Sequence, residues 1–203
     1  EGRPDQYDIN IVKPQPLVPR RRRITVAERM TAAGKVLVPL DEAAVAAAAR
    51  QLEAMEVESL AIGFLHAYAN SAHEERAAEI IAKTLPGLSI SLSSAVSPEF
   101  REYERISTTT ANAYERPQMA SYLRRFEAQL RGVGVTAPLL LMLSSGGLTS
   151  VETAAEFPIR LVESGPAGGA IFAATIAGSN AANKVISFDM GGTTAKLTLI
   201  DKA

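Results

Sequence analysis

Two adjacent glycines between two short apolar runs constrain the fold of this chain more than any other feature. The runs are Val185–Phe188 and Leu197–Ile200, and each is long enough for one strand. Gly191 and Gly192 lie between them and can take the positive φ values that a tight reversal uses. A turn this short leaves no room for a crossover, so the pattern predicts an antiparallel β-hairpin.

The tip of this hairpin carries groups that can bind a phosphate. Backbone N–H groups and the hydroxyls of Thr193 and Thr194 would point toward one place. Asp189 stands beside them and could hold a metal ion or its bound water. The motif D-x-G-G-T fits an ordinary hairpin with an incidental acid equally well, so both interpretations stay open at this point.

Composition narrows the class of protein. The chain of 203 residues is 47% hydrophobic, which is enough for a sizeable core. It has no cysteine, which excludes disulfides and thiolate sites and fits a reducing, cytoplasmic location. His66 and His73 are the only histidines, and we expect structural or exposed roles for them. A net charge of −1 and the lack of a long apolar run argue against nucleic-acid and membrane partners.

The first half of the chain alternates strand and helix patterns. Strands are predicted at Tyr7–Val12, Ile24–Glu28, Val36–Leu40, Ser59–Leu65 and Leu88–Leu92. Helices are predicted from the Asp41 cap to about Glu56, and from a capping box at Ser71–Glu74 to about Thr84. The last three strands and the two helices predict a parallel βαβαβ unit, hence an α/β fold class.

Helices follow this unit. Residues 97–131 predict two helices interrupted at Pro117, and the charged string Arg101–Arg105 predicts an exposed face with ion pairs. The only change in composition along the chain lies near Gly132–Pro138. We therefore predict two domains: an α/β domain with an extended lead-in at residues 1–132, and a second domain at residues 133–203.

Two more small-residue motifs are candidate ligand contacts. The first follows the apolar run Leu139–Leu143, which predicts a buried strand, and open α/β folds bind ligands at the carboxyl ends of such strands. It consists of Ser144, Ser145, Gly146 and Gly147. In the second, Gly165, Gly168 and Gly169 open a helix that runs to about Ala177. Its N-terminus could accept an anion, although close packing explains the small residues equally well. An extended segment, Pro158–Val162, is predicted between the two motifs.

Read in order, the motifs SSGGL, ESGPAGG and FDMGGTT resemble those of the hydantoinase A/5-oxoprolinase family. That family includes ATP-dependent hydantoinases, 5-oxoprolinase and acetone carboxylase subunits. The resemblance extends back through Asn112–Tyr114, Arg101–Arg105 and Asn70–Glu74 to Tyr7–Arg20. It implies the fold of actin, sugar kinases and heat-shock ATPases, in which two ribonuclease-H-like lobes clamp ATP. Residues 133–203 would be the start of one such lobe.

The resemblance also implies cofactors and site residues. It implies ATP with Mg²⁺, which Asp189 would hold directly or through a water. The second phosphate hairpin of the family corresponds to Gly191, Gly192, Thr193 and Thr194, and its connecting helix begins at Gly165, Gly168 and Gly169. Many members have T-D where this chain has Ala195 and Lys196. The first phosphate hairpin and the adenosine motif of the family have no counterpart in these residues, so we expect an internal segment of a longer protein.

The function implied is ATP-dependent hydrolysis of a cyclic amide such as a hydantoin or 5-oxoproline, through a phosphorylated amide. A second subunit of the hydantoinase B type, and an oligomer, are the implied partners. Two alternatives stay open: a subunit of an acetone carboxylase type, and a non-catalytic scaffold domain of the same fold.

Overall fold

The computed structural model describes Asn10 and residues 15–201. Its first half contains a 3₁₀ turn at Arg20–Arg22, strands β1 (Arg29–Met30), β2 (Val36–Val38), β3 (Ser59–Ile62) and β4 (Ser89–Leu92), and helices α1 (Glu42–Ala54), α2 (Ala72–Thr84) and α3 (Ser93–Val96). The long helix α4 (Glu102–Gly132) follows. The last part contains strands β5 (Leu140–Met142), β6 (Leu148–Ser150), β7 (Lys184–Met190) and β8 (Ala195–Asp201), helices α5 (Val151–Glu156) and α6 (Ser164–Ser179), and a 3₁₀ turn at Pro158–Leu161.

The parallel unit is smaller than the sequence predicts. Strands β3 and β4 pair in parallel, in register from Ser59 opposite Ser89 to Ile62 opposite Leu92. Strand β2, however, pairs with β1 in an antiparallel ladder and does not join them, so the predicted βαβαβ unit is reduced to β3–α2–β4 with α1 packed beside it. The tight turn at Gly34, with φ of 74°, returns the chain onto the residues just before it and causes this local pairing.

Helices α1 and α2 pack against this pair of strands and close the main core. Its buried side chains are Val45, Ala49, Leu52, Ile62, Ala77 and Ile81. The predicted strand at Ile24–Glu28 is wrong, because Ile24 and Val26 instead pack on this core in irregular backbone. The predicted strand at Tyr7–Val12 falls, apart from Asn10, outside the described residues.

The helical region also departs from the prediction. Helix α4 begins at Glu102 instead of Ser97 and runs without interruption through Pro117. A proline inside a helix loses one backbone hydrogen bond and crowds the preceding turn. Here Ala113 and Leu123 are buried on either side of the proline, so tertiary packing holds the helix together across it.

The last part of the chain builds two antiparallel hairpins around α6. Strands β5 and β6 form the first, and β7 and β8 form the second. Residues Pro158–Leu161, predicted to be extended, form a 3₁₀ turn instead. The domain boundary placed at residue 132, where α4 ends, stays a prediction. Within the described part of the chain, no helix is both long enough and apolar enough to cross a membrane.

Candidate functional site

The predicted hairpin of β7 and β8 is confirmed. Its ladder runs from Lys184 opposite Asp201 to Met190 opposite Ala195, so the turn itself consists of residues 191–194. Asp189 belongs to the strand and lies opposite Lys196. The expectation of positive φ is wrong, because neither Gly191 nor Gly192 is among the left-handed glycines of the described chain.

The tip of the hairpin has free hydrogen-bond donors. The N–H of Gly191 donates to the carbonyl of Thr194 over 3.0 Å and closes the turn. Among the described residues, no acceptor is paired with the N–H groups of Gly192, Thr193 or Thr194. Three consecutive free N–H groups on an exposed turn are donors that a phosphate oxygen could accept from.

The glycines of the tip are not explained by the packing of this chain. A Cβ added at Gly191 or Gly192 would meet no atom within 4 Å, and neither residue has a left-handed backbone. Gly146 is different, since its φ is 88° and its Cβ would lie 2.9 Å from Cδ1 of Ile171. The tip glycines therefore leave open space over the free N–H groups, where a ligand can approach the backbone closely.

Asp189 is the acid beside this tip, and its side chain is exposed. In residues 15–201 no group of three or more histidine, cysteine, aspartate or glutamate side chains is placed to hold a metal ion. Mg²⁺ commonly keeps several waters and takes only one or two carboxylates plus phosphate oxygens. Asp189 could supply one such carboxylate beside the tip.

Helix α6 approaches the hairpin at its N-terminus. Its first turn follows Glu163, whose backbone is left-handed with φ of 63° and whose carboxylate forms an ion pair with the Lys196 amine. A Cβ at Gly165 or Gly169 would meet no atom within 4 Å. The residues predicted to open this helix therefore lie beside the strand that carries Lys196.

The motif at Ser144–Gly147 packs on the same helix. Residues Ser144–Gly147 form the turn between β5 and β6, and the N–H and hydroxyl of Ser144 both donate to the carbonyl of Arg160. A Cβ added at Gly146 would lie 2.9 Å from Cδ1 of Ile171 in α6, and a Cβ added at Gly168 would lie 3.6 Å from Cγ of Met142. The strand before this turn is not the buried strand that was predicted, since Leu140 is 51% exposed. The structure thus gathers all three motifs around α6, with Ser144–Gly147 in a supporting position.

A buried polar network connects α2, α3 and α4. Glu74 is fully buried, and its carboxylate accepts hydrogen bonds from the backbone N–H of Phe64 and from the hydroxyls of Ser93 and Ser94 at 2.6–3.0 Å. The N–H of Ser94 adds a fourth bond at 2.9 Å. The predicted capping box is therefore wrong: Glu74 points into the core, and Asn70 accepts from the Ala72 N–H at the start of α2.

Arg105 completes this network and is 1% exposed, so the predicted exposed face at Arg101–Arg105 is wrong at this residue. Its Nε donates to the Ser93 hydroxyl over 3.0 Å, and that hydroxyl donates in turn to Glu74. Its Nη1 and Nη2 donate to the carbonyls of Glu99 and Phe64, each over 2.9 Å. Glu74 and Arg105 are thus linked through a shared hydroxyl, and Nη2 of Arg105 also lies 3.7 Å from the Glu102 carboxylate.

One signal in the sequence could have revealed this network. Glu74 shares a helical stripe with Ala77 and Ile81, three and seven residues later, and both are buried. Arg105, Thr109 and Asn112 follow one another at spacings of four and three, and all are buried. The charged and polar residue types in these strings favoured an interpretation as exposed faces. Their spacing of three and four residues instead places them on the buried face of each helix.

The histidines have structural surroundings, as expected. His73 is 9% exposed, and its Nδ1 lies 2.8 Å from the Glu28 carboxylate. His66 has φ of 58° and contacts Tyr68 and Glu102. Hydrogen bonds from the backbone N–H of Glu102 itself and of His66, together with the Arg105 charge, hold the pKa of Glu102 below its usual range.

Comparison with known proteins identifies the family. The family model described as hydantoinase/oxoprolinase matches residues 105–203, and the model of the hydantoinase/oxoprolinase N-terminal region matches residues 1–85. This chain belongs to the hydantoinase/oxoprolinase family. The predicted resemblance is confirmed.

Family members with known activities share this part of the chain. The caprolactamase subunit alpha of Pseudomonas jessenii is 34% identical over 194 residues, which is 96% of this chain and 28% of the relative. The 5-oxoprolinase of Saccharomyces cerevisiae is 34% identical over 165 residues, which is 81% of this chain and 12% of the relative.

A solved structure confirms the fold class. The nucleotide-free structure of acetone carboxylase superposes with a TM-score of 0.81 at 28% identity over 93% of this chain and 27% of that one. This hydantoinase/oxoprolinase family chain therefore has the α/β ATPase-like fold of that enzyme. It spans less than a third of the length of each of these three relatives.

Proposed function

We propose that the β7–β8 hairpin binds the phosphates of ATP in a protein that hydrolyses cyclic amides. The observation that carries this proposal is the row of free N–H groups at Gly192, Thr193 and Thr194, under open space and beside Asp189. These N–H groups and the two threonine hydroxyls would donate to phosphate oxygens. Asp189 would hold Mg²⁺ or one of its waters, which brings a cation beside the phosphates.

The chemistry of an amide explains why ATP would be needed. ATP would supply a phosphoryl group that makes an unreactive amide carbonyl susceptible to water. The part of this chain would be to position phosphate and to stabilise negative charge, through groups that are already oriented by the hairpin ladder. Helix α6 would support the hairpin, and Ser144–Gly147, which pack on that helix, would help to shape a substrate cleft near it.

Cyclic amides are the substrate class that the relatives favour. Caprolactamase and 5-oxoprolinase, by name, act on a lactam and on 5-oxoproline, and each is 34% identical to this chain. A carboxylase-type function is the second candidate, because the acetone carboxylase structure superposes with a TM-score of 0.81.

A partner subunit is also part of the proposal, because one relative is a subunit of caprolactamase. We propose that this partner is of the hydantoinase B type. A cysteine-free chain fits a cytoplasmic location for this enzyme.

A substrate panel separates these candidates. The full-length protein, with its partner subunit, is mixed with Mg-ATP and one of four substrates: caprolactam, 5-oxoproline, hydantoin, or acetone with bicarbonate. ADP release is measured in each case. We expect ADP release with a cyclic amide. Release only with acetone and bicarbonate would favour the carboxylase, and the absence of both ADP release and ATP binding would favour a scaffold.

The hairpin glycines provide a test within the chain. Because Gly191 and Gly192 have neither a left-handed backbone nor close neighbours, Gly191→Ala and Gly192→Ala should leave the free energy of unfolding within about 0.5 kcal/mol of wild type. The added methyl groups would instead obstruct a phosphate over the N–H groups and weaken Mg-ATP binding by the full-length protein about tenfold or more. Calorimetry and urea unfolding measure the two effects.

The control for these variants is Gly146→Ala. Its φ of 88° and the Ile171 contact at 2.9 Å should make this substitution destabilising by about 1–3 kcal/mol. Loss of stability without loss of nucleotide affinity at Gly191 and Gly192 would contradict the phosphate-binding role of the tip.

The chain on its own should bind nucleotide only weakly. One hairpin supplies a few hydrogen bonds, whereas the full cost of immobilising ATP must be met. We expect residues 1–203 to fold, since they contain the core around α1, α2, β3 and β4, but to show no ATP hydrolysis. Calorimetry of this chain with Mg-ATP tests the expectation. A Kd of about 1 μM or lower would show that the nucleotide site lies within these residues.

A further inference from the structure

The ion pair between Lys196 and Glu163 joins the two elements of the candidate phosphate site. Lys196 lies in β8 directly opposite Asp189, and opposed residues of an antiparallel pair project to the same face of the sheet. Its amine nevertheless contacts the carboxylate of Glu163, at the start of α6. The Lys196 side chain is 34% exposed and that of Glu163 is 70% exposed, so both groups are accessible to a ligand.

The conformation of Glu163 shows that this contact is not a helix cap. Its backbone is left-handed, with φ of 63° and ψ of 23°, a conformation that costs free energy for a residue other than glycine. It occupies the N-cap position of α6, yet its side chain makes no capping hydrogen bond. The carboxylate is therefore turned toward Lys196 and away from the N–H groups of its own helix.

The balance of charge opposes nucleotide binding while this pair is closed. Glu163 and Asp189 contribute two negative charges near the hairpin, and Lys196 contributes one positive charge. Before Mg²⁺ is bound, the phosphates of ATP would therefore meet net negative charge from these three side chains. Lys196 stands two residues after Thr194, about 7 Å along the strand, a distance that its flexible four-carbon stem can largely span.

The expected strengths of the two interactions favour transfer of the Lys196 amine from Glu163 to a phosphate. An exposed ion pair alters an equilibrium only about two- to fivefold. A hydrogen bond between a charged donor and a phosphate oxygen is worth about tenfold or more, since both groups are ionised. A phosphate at the tip would thus compete successfully with Glu163 for the lysine amine.

We propose that Lys196 binds phosphate. In the free protein its amine pairs with the Glu163 carboxylate, and when nucleotide binds, Lys196 leaves that carboxylate and contacts the nucleotide phosphates. Glu163 then acts as an internal competitor that lowers nucleotide affinity. This inference rests on the proposed function, because it requires a polyphosphate at the hairpin. It assigns opposite effects to the two members of one ion pair, whereas a purely structural pair would give effects of the same sign.

The experiment is calorimetry of Mg-ATP binding to the full-length protein and its variants. Glu163→Gln should bind Mg-ATP about threefold more tightly than wild type, because the competitor is removed. Lys196→Met should bind about tenfold more weakly, and Lys196→Arg should stay near wild type because the charge is kept. The double variant Glu163→Gln/Lys196→Met should match Lys196→Met, since no amine remains to be released.

Two control variants make the same changes of charge at positions remote from the tip of the hairpin. Glu104→Gln removes a carboxylate of similar exposure from α4, and Lys184→Met removes a lysine from the far end of the same hairpin. Both should bind Mg-ATP as wild type does. Urea unfolding of each variant confirms that the fold is kept.

The outcomes separate this inference from the proposed function. Weaker binding by Glu163→Gln, or unchanged binding by both single variants, would overturn the exchange while the nucleotide site remains. No binding of Mg-ATP by the wild-type protein would overturn the proposed function, and the exchange with it. Tighter binding by Glu163→Gln, weaker binding by Lys196→Met, and a double variant that binds as weakly as Lys196→Met would support the exchange.

Discussion

Replacing Arg105 with methionine should lower the free energy of unfolding of this chain by about 3–5 kcal/mol. The guanidinium is 1% exposed and reaches the fully buried Glu74 carboxylate through the hydroxyl of Ser93. Methionine has a similar length but no charge, so the variant leaves a buried carboxylate without its counter-charge and two carbonyls without donors. Urea unfolding followed by circular dichroism measures the change.

Two further variants make this prediction specific. Arg101→Met removes an arginine that is adjacent to the same helix but 67% exposed, and it should change stability by no more than about 0.5 kcal/mol. Combining Arg105→Met with Glu74→Leu removes both charges, so the pair should be milder than the sum of the single changes. A cost for Arg105→Met no greater than that of the exposed control would show that the buried pair does not stabilise the fold.

Replacing Asp189 with asparagine should lower ATP turnover by the full-length protein by at least about 100-fold. Asparagine keeps the size of the side chain and removes the charge that would hold Mg²⁺ or its water. The side chain is exposed, so the free energy of unfolding should stay close to that of wild type. Steady-state ADP release and urea unfolding measure the two quantities.

Asp201→Asn is the matched control for this variant. Asp201 ends the same hairpin, opposite Lys184, and is also exposed, but it lies at the end remote from the tip. Turnover in that variant should equal the wild-type value. Wild-type turnover in Asp189→Asn itself would remove Asp189 from metal and phosphate chemistry, whatever the hairpin binds.

Local sequence signals predicted the elements whose causes are themselves local. Asp41 caps α1, as predicted, by accepting a hydrogen bond from the Ala44 N–H at 2.9 Å. The hairpin of β7 and β8 follows from two apolar runs around a short turn. In each case a few neighbouring residues provide both the donor and the acceptor, so the pattern is sufficient.

Predictions that depended on distant partners were less successful. Pro117 breaks a helix in isolation, but burial of Ala113 and Leu123 keeps α4 continuous. Strand β2 was assigned to a parallel sheet, although the Gly34 turn pairs it with β1. For the candidate site, the sequence indicated the hairpin and α6, but it did not show that Glu163 rather than Asp189 takes the Lys196 amine.

The sequence by itself determined the α/β class, the family and the residues of the β7–β8 hairpin, because these depend on short ordered motifs and on hydrophobic period. Only the tertiary structure decided that Glu74 and Arg105 are buried and that Glu163 lies beside Lys196. A charged side chain can be buried only where donors and acceptors from other elements surround it. For Arg105 those groups are Ser93, Glu99 and Phe64, from 6 to 41 residues away along the chain, and no local pattern brings them together.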